Sequence, residues 1–178
     1  MKIRNMVVYF VRTADKLFSY FQSSKTIRRI LSRCINKDIK YSDVSKYDFD
    51  AFRDLIRFSS LKKHNKKFHK KLFKSLGDNK YLIVAKKSGF IYGCVIIKKI
   101  DKRSWFLSDL TVRGRFRGAG IGTLLVQKAI NIARKNNAKE VVLKVNQKNN
   151  KAIALYYKMG FKTSIKIDDE MIKLVLKL

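Results

Sequence analysis

Residues 110–123 of the chain read LTVRGRFRGAGIGT, and this stretch decides the fold. An apolar run from Trp105 to Val112 leads into it and predicts a strand, whereas an amphipathic pattern that begins near Gly120 predicts a helix. The first backbone N–H groups of a helix have no partner within the helix, and the helix dipole favours negative charge at that end. The stretch therefore predicts a binding site for an anion such as a phosphate group.

The composition of the turn suits a phosphate. Glycine has no Cβ atom, so its backbone can approach a ligand closely and can adopt positive φ angles. Arginine adds charge and can make a forked contact with a phosphate. The residues concerned are Gly118, Gly120, Gly122, Arg113, Arg115 and Arg117. The alternative interpretation is a basic connector whose glycines serve only tight packing.

Two common nucleotide-binding motifs do not fit this stretch. A P-loop requires a glycine followed by lysine and a hydroxyl residue, and no glycine here is followed by that pair. A dinucleotide-binding fold requires G-x-G-x-x-G and an acidic residue at the end of the next strand. The glycines here are spaced differently, and Glu140 begins the predicted strand Val141 to Val145 instead of ending it. Both motifs are therefore excluded.

What remains resembles the GNAT superfamily of acyl-CoA-dependent N-acyltransferases, whose pyrophosphate loop reads Arg/Gln-x-x-Gly-x-Gly/Ala. The matching segment here runs from Arg117 to Gly122, and Leu110 and Val112 precede it at the end of the strand. The sequence departs from the family pattern at Gly114, where members often carry proline.

A second block, Asn149 to Phe161, is similar to a later motif of the same family. In it, Ala152, Leu155 and Met159 recur at spacings of three and four residues, which predicts one face of a helix. The first residue of the block can cap that helix, and Gly160 fits its C-terminal end. Two motifs in the family's order, with a strand between them, are more specific than either motif alone.

The resemblance implies a GNAT-type fold, which is a twisted, mixed α/β sheet with helices on both faces. It covers residues 38–178 and leaves out residues 1–37. The pattern of residues 38–178 predicts the following elements: strands at 39–44, 80–86, 90–99, 105–112, 141–145, 161–167 and 171–176, and helices at 48–56, 61–76, 120–136 and 149–159.

Two of these helices have a predicted buried face. For residues 61–76 the apolar stripe consists of Phe68, Leu72, Phe73 and Leu76, and for residues 120–136 it consists of Leu124, Leu125, Ala129, Ile132 and Ala133. His64 and His69 are expected at the surface or at its rim. Because no acidic or cysteine ligands lie beside them in the sequence, no metal site is expected.

Residues 1–37 read as one or two basic amphipathic helices that are broken near Ser23 and Ser24. Their apolar stripes consist of Phe10, Ala14, Leu17 and Phe21, then Ile27, Ile30, Leu31 and Cys34. Three uses compete: packing on the catalytic domain, formation of a homodimer, and binding to an anionic surface. Packing or self-association is the simplest of the three.

The chain of 178 residues has 42 basic and 13 acidic residues, a formal net charge of +29. Such an excess attracts polyanions, namely CoA, nucleic acid, ribosomes or anionic lipid, although a general abundance of lysine explains it equally well. The two cysteines, Cys34 and Cys94, form no disulfide framework and suit a reducing compartment. No apolar stretch is long enough to span a membrane, and the N-terminal apolar run is too short for a signal peptide and is not followed by a cleavage site. We therefore expect the protein to reside in the cytoplasm.

By resemblance, the cosubstrate is acetyl-CoA. The family's glycine loop holds the pyrophosphate, and the end of the preceding strand pairs with the pantetheine arm and helps to polarise the thioester carbonyl. The residues expected to bind the cofactor are Leu110, Thr111, Val112, Arg117, Gly118, Ala119, Gly120, Ile121, Gly122, Thr123 and Asn149.

Two residues are candidates for proton transfer. By its place in the second motif, Tyr156 matches the family's general acid. A phenol can protonate the leaving thiolate if it lies within hydrogen-bond reach. The alternative is an aromatic side chain that packs with its hydroxyl at the rim. Asp109 lies three residues before Val112 and is the candidate base, acting through water; a structural role as a strand cap or as a partner of an arginine is equally plausible. The turn at Asp168 to Glu170 is expected to be solvated.

The leading functional hypothesis is an N-acetyltransferase that transfers the acetyl group of acetyl-CoA to an amine by direct attack in a ternary complex. No nucleophile with an adjacent base is evident, which disfavours an acyl-enzyme. The acceptor, a small molecule or a protein amine, cannot be deduced from the sequence. The alternatives are a catalytically silent module with the same fold that binds CoA or a polyanion, and a protein that binds nucleic acid or ribosomes.

Overall fold

The computed structural model of the protein describes residues 40–43, 66–77, 79–87 and 90–178. Within these residues, seven strands form one sheet in the order β1-β2-β3-β4-β5-β7-β6. All neighbouring strands are antiparallel except β4 and β5, which are parallel. The strands are β1 (Lys40–Asp43), β2 (Lys80–Lys87), β3 (Phe90–Lys99), β4 (Ser104–Val112), β5 (Glu140–Asn146), β6 (Lys162–Lys166) and β7 (Met171–Lys177). The predicted mixed sheet is confirmed.

In the described part of the chain, three α-helices accompany the sheet: α1 (Lys66–Lys74), α2 (Ile121–Lys135) and α3 (Asn150–Lys158). A short 3₁₀ helix, Gly114–Phe116, lies between β4 and α2. Helices α2 and α3 pack on one face of the sheet, where their apolar residues join Trp105 and Leu143 in the larger core. Leu72 of α1 packs on the other face in a smaller core. Helices therefore lie on both faces, as the sequence predicts.

The observed bounds agree with the sequence-based ones to within a few residues. The strand predicted at 39–44 is β1, and the two predicted hairpins are β2–β3 and β6–β7. The helix predicted from Gly120 begins at Ile121 with Gly120 as its N-cap and ends at Lys135. Several predictions concern residues that the structure does not describe. These are residues 1–37, which include Cys34, the helix predicted at 48–56, and residues 61–65, which include His64.

The predicted orientation of α2 is wrong by part of a turn. The buried residues of this helix are Ile121, Leu125, Val126, Ala129, Ile130 and Ala133, whereas Leu124 is 38% exposed and Ile132 is only partly buried. The helix presents its 121-125-129-133 row to the sheet together with the adjacent 126-130 row. An apolar side chain at the margin of such a stripe is common at protein surfaces.

The surface location predicted for His69 is also wrong. His69 is 6% exposed and lies three residues before buried Leu72, so both side chains face inward, whereas Phe68 is 38% exposed. The Phe68 and His69 rings contact each other edge to face at 6.0 Å. The predicted apolar stripe is therefore confirmed at Leu72 and Leu76, which belong to the smaller core, and wrong at Phe68, whose place at the start of the buried face is taken by His69.

The predicted strand Val141 to Val145 is buried on both faces over only part of its length. Val141, Val142 and Leu143 are all at most 4% exposed, but Lys144 is exposed. Its neighbour across the β5–β7 pair is Lys173. One face of the sheet is thus open to solvent at this end.

Gly93 is a position where any side chain would disturb the packing between the sheet and α2. A Cβ atom there would lie 2.7 Å from the backbone oxygen of Thr111 and 3.2 Å from both Leu125 Cδ1 and Val112 Cγ2. We expect Gly93→Ala to lower the free energy of unfolding by about 1–3 kcal/mol through overpacking, measured by urea denaturation.

Gly114→Ala is the matched control, because a Cβ atom there meets nothing within 4 Å. Its effect should stay within about 0.5 kcal/mol, as for most surface substitutions. Equal stability of the two variants would contradict the close approach of α2 to the sheet at Gly93.

Candidate active site

The central feature of the site is the separation of two parallel strands. Strands β4 and β5 pair from Ser104 and Glu140 as far as Leu107 and Leu143, and the pairing stops there. Both strands nevertheless continue, β4 to Val112 and β5 to Asn146. The last residues of β4 therefore have no strand partner on the β5 side, and their backbone groups face an opening in the sheet.

A β-bulge at Asp109 accompanies this separation. In the β3–β4 pair, Cys94 opposes Thr111 and Ile96 opposes Ser108, so Val95 alone opposes two residues of β4. Asp109 has a φ angle of 55°, in the left-handed region that few residues other than glycine adopt. Such bulges bend a strand and redirect its side chains.

The bulge changes which residues of β4 face the larger core. Before it, Trp105 and Leu107 point toward α2 and α3; after it, Leu110 and Val112 do so. Strict alternation along the strand would have placed the second pair on the opposite face. The apolar pattern of the sequence did not reveal this shift. The aspartate within an apolar strand was nevertheless a signal, since aspartate is depleted in strands and enriched in left-handed conformations.

The glycine corner, residues 117–122, follows β4 and the 3₁₀ helix. Gly118 and Gly120 both have φ angles of 82°, and the backbone N–H groups of both donate no hydrogen bond within the described residues. As the first residues of α2, Ile121 and Gly122 have no intrahelical acceptor for their N–H groups. Four amides are thus available at the positive end of a helix, which is the predicted anion site.

The arginines of this stretch have different roles. Arg117 is exposed, and its Nε donates to the backbone oxygen of Val112 at 3.1 Å, which places the guanidinium beside the corner at the end of β4. The Nε of Arg113 donates to the backbone oxygen of Ile91 at 2.8 Å, and its guanidinium lies 4.5 Å from the centre of the Phe90 ring. Arg117 is thus placed to meet an anion, whereas Arg113 is held by β3.

The second sequence motif lies against this corner. A Cβ atom on Gly122 would lie 3.3 Å from Leu155 Cδ1 of α3 and 3.8 Å from Val112 Cγ2 of β4. Asn149 is the N-cap of α3, and its side-chain oxygen accepts a hydrogen bond from the backbone N–H of Ala152 at 3.2 Å, as predicted. The structure therefore brings together the end of β4, the start of α2 and the middle of α3.

The C-terminus of α3 holds Tyr156 in place. The N–H of Phe161 donates to the backbone oxygen of Tyr156 at 3.1 Å and that of Gly160 to Tyr157 at 3.0 Å, which is the hydrogen-bond pattern of a Schellman motif. Gly160 has the positive φ angle of 90° that this motif requires. The Phe161 and Tyr156 rings contact each other at 5.6 Å. The predicted glycine stop thus also positions the candidate acid.

Tyr156 is buried, with 6% of its surface exposed. Burial raises the pKa of its phenol to about 12, because the apolar surroundings disfavour the charged form. The phenol is therefore protonated at neutral pH, which is the state that a general acid requires. The adjacent Tyr157 is 49% exposed, and its hydroxyl is hydrogen-bonded to that of Thr163 at 2.7 Å, so it faces away from the core.

Asp109 lies at the bulge, and its charge acts toward the face of the sheet opposite α2 and α3. Burial, and next the negative charge of Asp109, raise the pKa of the Cys94 thiol. Burial and the charge of Lys98 lower the pKa of Lys80, and the charge of Asp109 opposes that change. Cys94 is fully buried, as predicted for a small apolar residue, and its Sγ lies 3.9 Å from the backbone oxygen of Asp109.

The predicted solvated turn is exposed. Asp168 Oδ1 accepts hydrogen bonds from the backbone N–H groups of Glu170 and Met171 at 2.8 Å, and Asp169 pairs with Lys166. Gln147 Nε2 donates to the backbone oxygens of Asp168 and Asp169 and thereby ties the turn to the end of β5.

Among the described residues, no group of His, Cys, Asp and Glu is placed to hold a metal ion, and no helix is long and apolar enough to cross a membrane.

Comparison with known proteins agrees with this geometry. The sequence model of the acetyltransferase (GNAT) family matches residues 49–161, which contain both motifs. The chain belongs to the GNAT family. The family resemblance and the GNAT fold predicted from the sequence are therefore confirmed.

Individual relatives have diverged considerably from this GNAT chain. It is 32% identical over 133 residues to an uncharacterised N-acetyltransferase of Methanocaldococcus jannaschii, covering 67% of this chain and 58% of that protein. It is 32% identical over 88 residues to N-alpha-acetyltransferase 30 of Saccharomyces cerevisiae, covering 46% of this chain and 50% of that protein. The chain thus spans between half and two thirds of the length of these relatives.

Solved structures share the fold. A chain in the crystal structure of the NatC complex bound to Gag peptide and CoA superposes with a TM-score of 0.65 at 24% identity, covering 79% of this GNAT chain and 99% of that chain. A likeness at this level of identity concerns the fold alone.

The raised pKa of Tyr156 predicts a specific pH dependence of stability. Because the folded-state pKa, about 12, exceeds the ordinary value of 10.0, the buried phenol contributes stability that is complete below about pH 10 and is lost as the pH rises toward 12. Two pKa units correspond to about 2–3 kcal/mol. We expect the free energy of unfolding of the wild type to fall by this amount relative to Tyr156→Phe between pH 9.5 and 12, measured by urea denaturation.

Tyr157→Phe is the control for this measurement, because it removes an exposed hydroxyl from the next residue. Its stability should follow that of the wild type across the same pH range. Parallel curves for the wild type and Tyr156→Phe would contradict the burial of the Tyr156 phenol.

Proposed function

We propose that the protein transfers the acetyl group of acetyl-CoA to a primary amine by direct attack in a ternary complex. Membership of the GNAT family supports acyl transfer, and one observation carries the proposal: Gly122 of the glycine corner packs against Val112 at the unpaired end of β4 and against Leu155, the neighbour of Tyr156 on α3. We assign the diphosphate to the corner, the thioester to the end of β4 and the proton donor to α3.

The donor binds on the side of α2. The amides of Gly118, Gly120, Ile121 and Gly122 hold the diphosphate together with the Arg117 guanidinium. The pantetheine arm lies along Leu110 to Val112 and replaces the missing β5 partner by hydrogen bonds to the backbone. A main-chain N–H in that segment polarises the thioester carbonyl, a preorganised dipole that does not have to be reoriented during the reaction. The other residues that the sequence predicts to bind the cofactor remain part of this proposal. They are Thr111, Ala119, Thr123 and Asn149.

The acceptor enters from the opposite face of the sheet. Asp109 acts toward that face, whereas Tyr156 belongs to the face of α2 and α3. The neutral amine attacks the carbonyl carbon within the opening between β4 and β5, and its nitrogen then gives up a proton to Asp109 through water. The new C–N bond forms as the C–S bond breaks, and the Tyr156 phenol delivers its proton to the departing sulfur.

Two comparisons support a peptide as the first acceptor class to test. One relative is named N-alpha-acetyltransferase 30, and one structural neighbour was crystallised with a peptide and CoA. A panel of peptides with free α-amines, tested beside lysine side chains, aminosugars and polyamines, identifies the acceptor by release of CoA thiol. Cytoplasmic residence is part of the same proposal, because the buried thiol of Cys94 suits a reducing compartment.

The first test concerns the glycine corner. We expect Gly120→Glu to weaken CoA binding at least 100-fold, because it places a carboxylate at the helix N-terminus that the diphosphate must occupy. Isothermal titration with CoA measures the dissociation constant. Gly114→Glu is the matched control: it adds the same charge to the preceding 3₁₀ helix, where a Cβ atom meets nothing within 4 Å. Similar dissociation constants for the two variants would refute the assignment of the corner.

The second test concerns the acid. We expect Tyr156→Phe to lower kcat by about 10²-fold at neutral pH with the KM for acetyl-CoA nearly unchanged, because the proton donor acts on the departing thiolate. Tyr157→Phe should retain wild-type kcat. If Tyr156→Phe is as active as the wild type, a different group protonates the sulfur. Intact CoA binding without acetyl transfer to any amine of the panel, by the wild type itself, would instead favour the silent binding module.

The third test separates the carboxylate of Asp109 from the bulge that it forms. Asparagine and glycine both tolerate the φ angle of 55° at this position, so Asp109→Asn and Asp109→Gly keep the bulge and remove the charge. We expect both variants to bind CoA normally and to lose at least 10-fold in kcat/KM for the acceptor. Retained kcat/KM in both would show that Asp109 has only a structural role.

A further inference from the structure

The part of the sheet that α2 and α3 leave uncovered carries a dense group of lysines. Residues that oppose each other across paired strands point to the same face, so the register of β3 to β7 places one set of side chains together. We call this set the lysine face; it consists of Lys98, Phe106, Lys144, Lys162, Lys173 and Lys177. Four of the five lysines are exposed, and the fifth, Lys173, is half-buried.

These lysines have little compensating negative charge. Among the described residues, Glu140 is the acidic residue whose register position lies within this set, and it pairs with Lys177 and Ser104. Asp109, at the bulge of β4, acts toward the same face, but its charge acts on Lys80 of β2. Lys144 lies directly opposite Lys173 in the β5–β7 register, and neither forms an ion pair within the described residues. Like charges that face each other across two strands are destabilising. The arrangement therefore costs stability in the isolated chain, and a bound anion would relieve that cost.

The apolar residues of this face alternate with its charges. The half-buried Phe106 opposes Lys98 on β3 and Val142 on β5, and the Lys98 ammonium lies 5.5 Å from the centre of its ring. Ile165, which opposes Lys173, is 55% exposed. A sheet surface with an aromatic ring between lysines is the arrangement by which single-stranded nucleic acids are bound, with bases on rings and phosphates on charges.

Charge excludes two other occupants of the lysine face. A second copy of the chain would bring a formal charge of +29 to it. The N-terminal residues 1–37, with nine basic residues and one acidic residue, are also positively charged and would be repelled. The complementary partner is a polyanion, and the ring of Phe106 favours one that has stacking bases.

We propose that the lysine face binds single-stranded nucleic acid. The phosphates contact Lys144, Lys162 and Lys173, and a base stacks on Phe106 when the exposed Lys98 side chain moves from the ring to a phosphate. This site lies on the face opposite α2 and α3 and is separate from the glycine corner. The lysine face is on the side of the sheet from which we propose that the acceptor enters, but its binding of nucleic acid does not require acetyl transfer, and its failure would leave the proposed enzyme unaffected.

The test is the binding of a fluorescently labelled 20-nucleotide oligo(U) RNA to the full chain, measured by anisotropy from 50 to 200 mM salt. We expect Lys144→Gln/Lys173→Gln to weaken binding about 10-fold at 100 mM salt. Its slope of log K against log salt should become shallower by about 1.4, the value for two phosphate contacts on a single strand.

Lys128→Gln/Lys135→Gln removes the same charge from the exposed surface of α2, on the other side of the sheet, and should change the affinity by less than 2-fold. Phe106→Leu preserves an apolar side chain and should weaken binding about 10-fold through loss of stacking. Unchanged CoA binding by each variant verifies its fold.

Several results would overturn the proposal. One is the absence of RNA binding at 50 mM salt. Another is an equal loss of RNA affinity in the two double-glutamine variants, because this would indicate general attraction by the net charge. Equal affinity for polyglutamate of the same charge would identify an acidic protein as the partner instead. Equal affinity for vesicles containing anionic lipid would identify a membrane surface.

Discussion

The structure depends on the loss of pairing between β4 and β5 beyond Leu107 and Leu143. Parallel strands normally continue to pair while both remain extended, and an unpaired backbone group is costly unless another partner satisfies it. Here the bulge at Asp109 bends β4 away, so that the last residues of the strand present N–H and C=O groups to an opening. A strand-like ligand is the partner that this arrangement accommodates best.

Packing around the opening fixes the rest of the site. A Cβ atom on Gly93 would crowd Val112 and Leu125 of α2, and one on Gly122 would crowd Leu155 of α3, so the absence of both Cβ atoms lets the two helices approach the end of β4 closely. The amides at the start of α2 consequently meet the end of that strand. The Schellman motif at Gly160 ends α3 and packs Phe161 against Tyr156. The candidate anion site and the candidate acid are thus positioned by backbone geometry that glycine makes available.

Local features of the site could be predicted from the sequence, because each is encoded within a few residues. The glycine corner, the N-cap at Asn149 and the glycine stop at Gly160 are of this kind, and all three are observed. The apolar runs gave the strands and helices with their approximate bounds for the same reason. The roles of Tyr156 and Asp109 in catalysis are chemical and remain predictions.

Features that depend on distant partners could not be predicted in this way. The β4–β5 opening results from where two strands stop pairing, and the shift of alternation at Asp109 results from the register against β3. The sequence did not show that Arg113, one of three arginines near the corner, is held by the backbone oxygen of Ile91. The burial of His69 follows from how α1 lies on the sheet, which apolar spacing did not reveal. In each case tertiary contacts decided among alternatives that local sequence left open.

A crystal structure of the protein with acetyl-CoA tests the central claim most directly. We predict diphosphate oxygens within about 2.7–3.2 Å of the amide nitrogens of Gly118 to Gly122, and pantetheine hydrogen bonds to the backbone of Leu110 to Val112 inside the opening. Acetyl-CoA bound elsewhere, with the corner empty or with β4 and β5 paired to their ends, would contradict it.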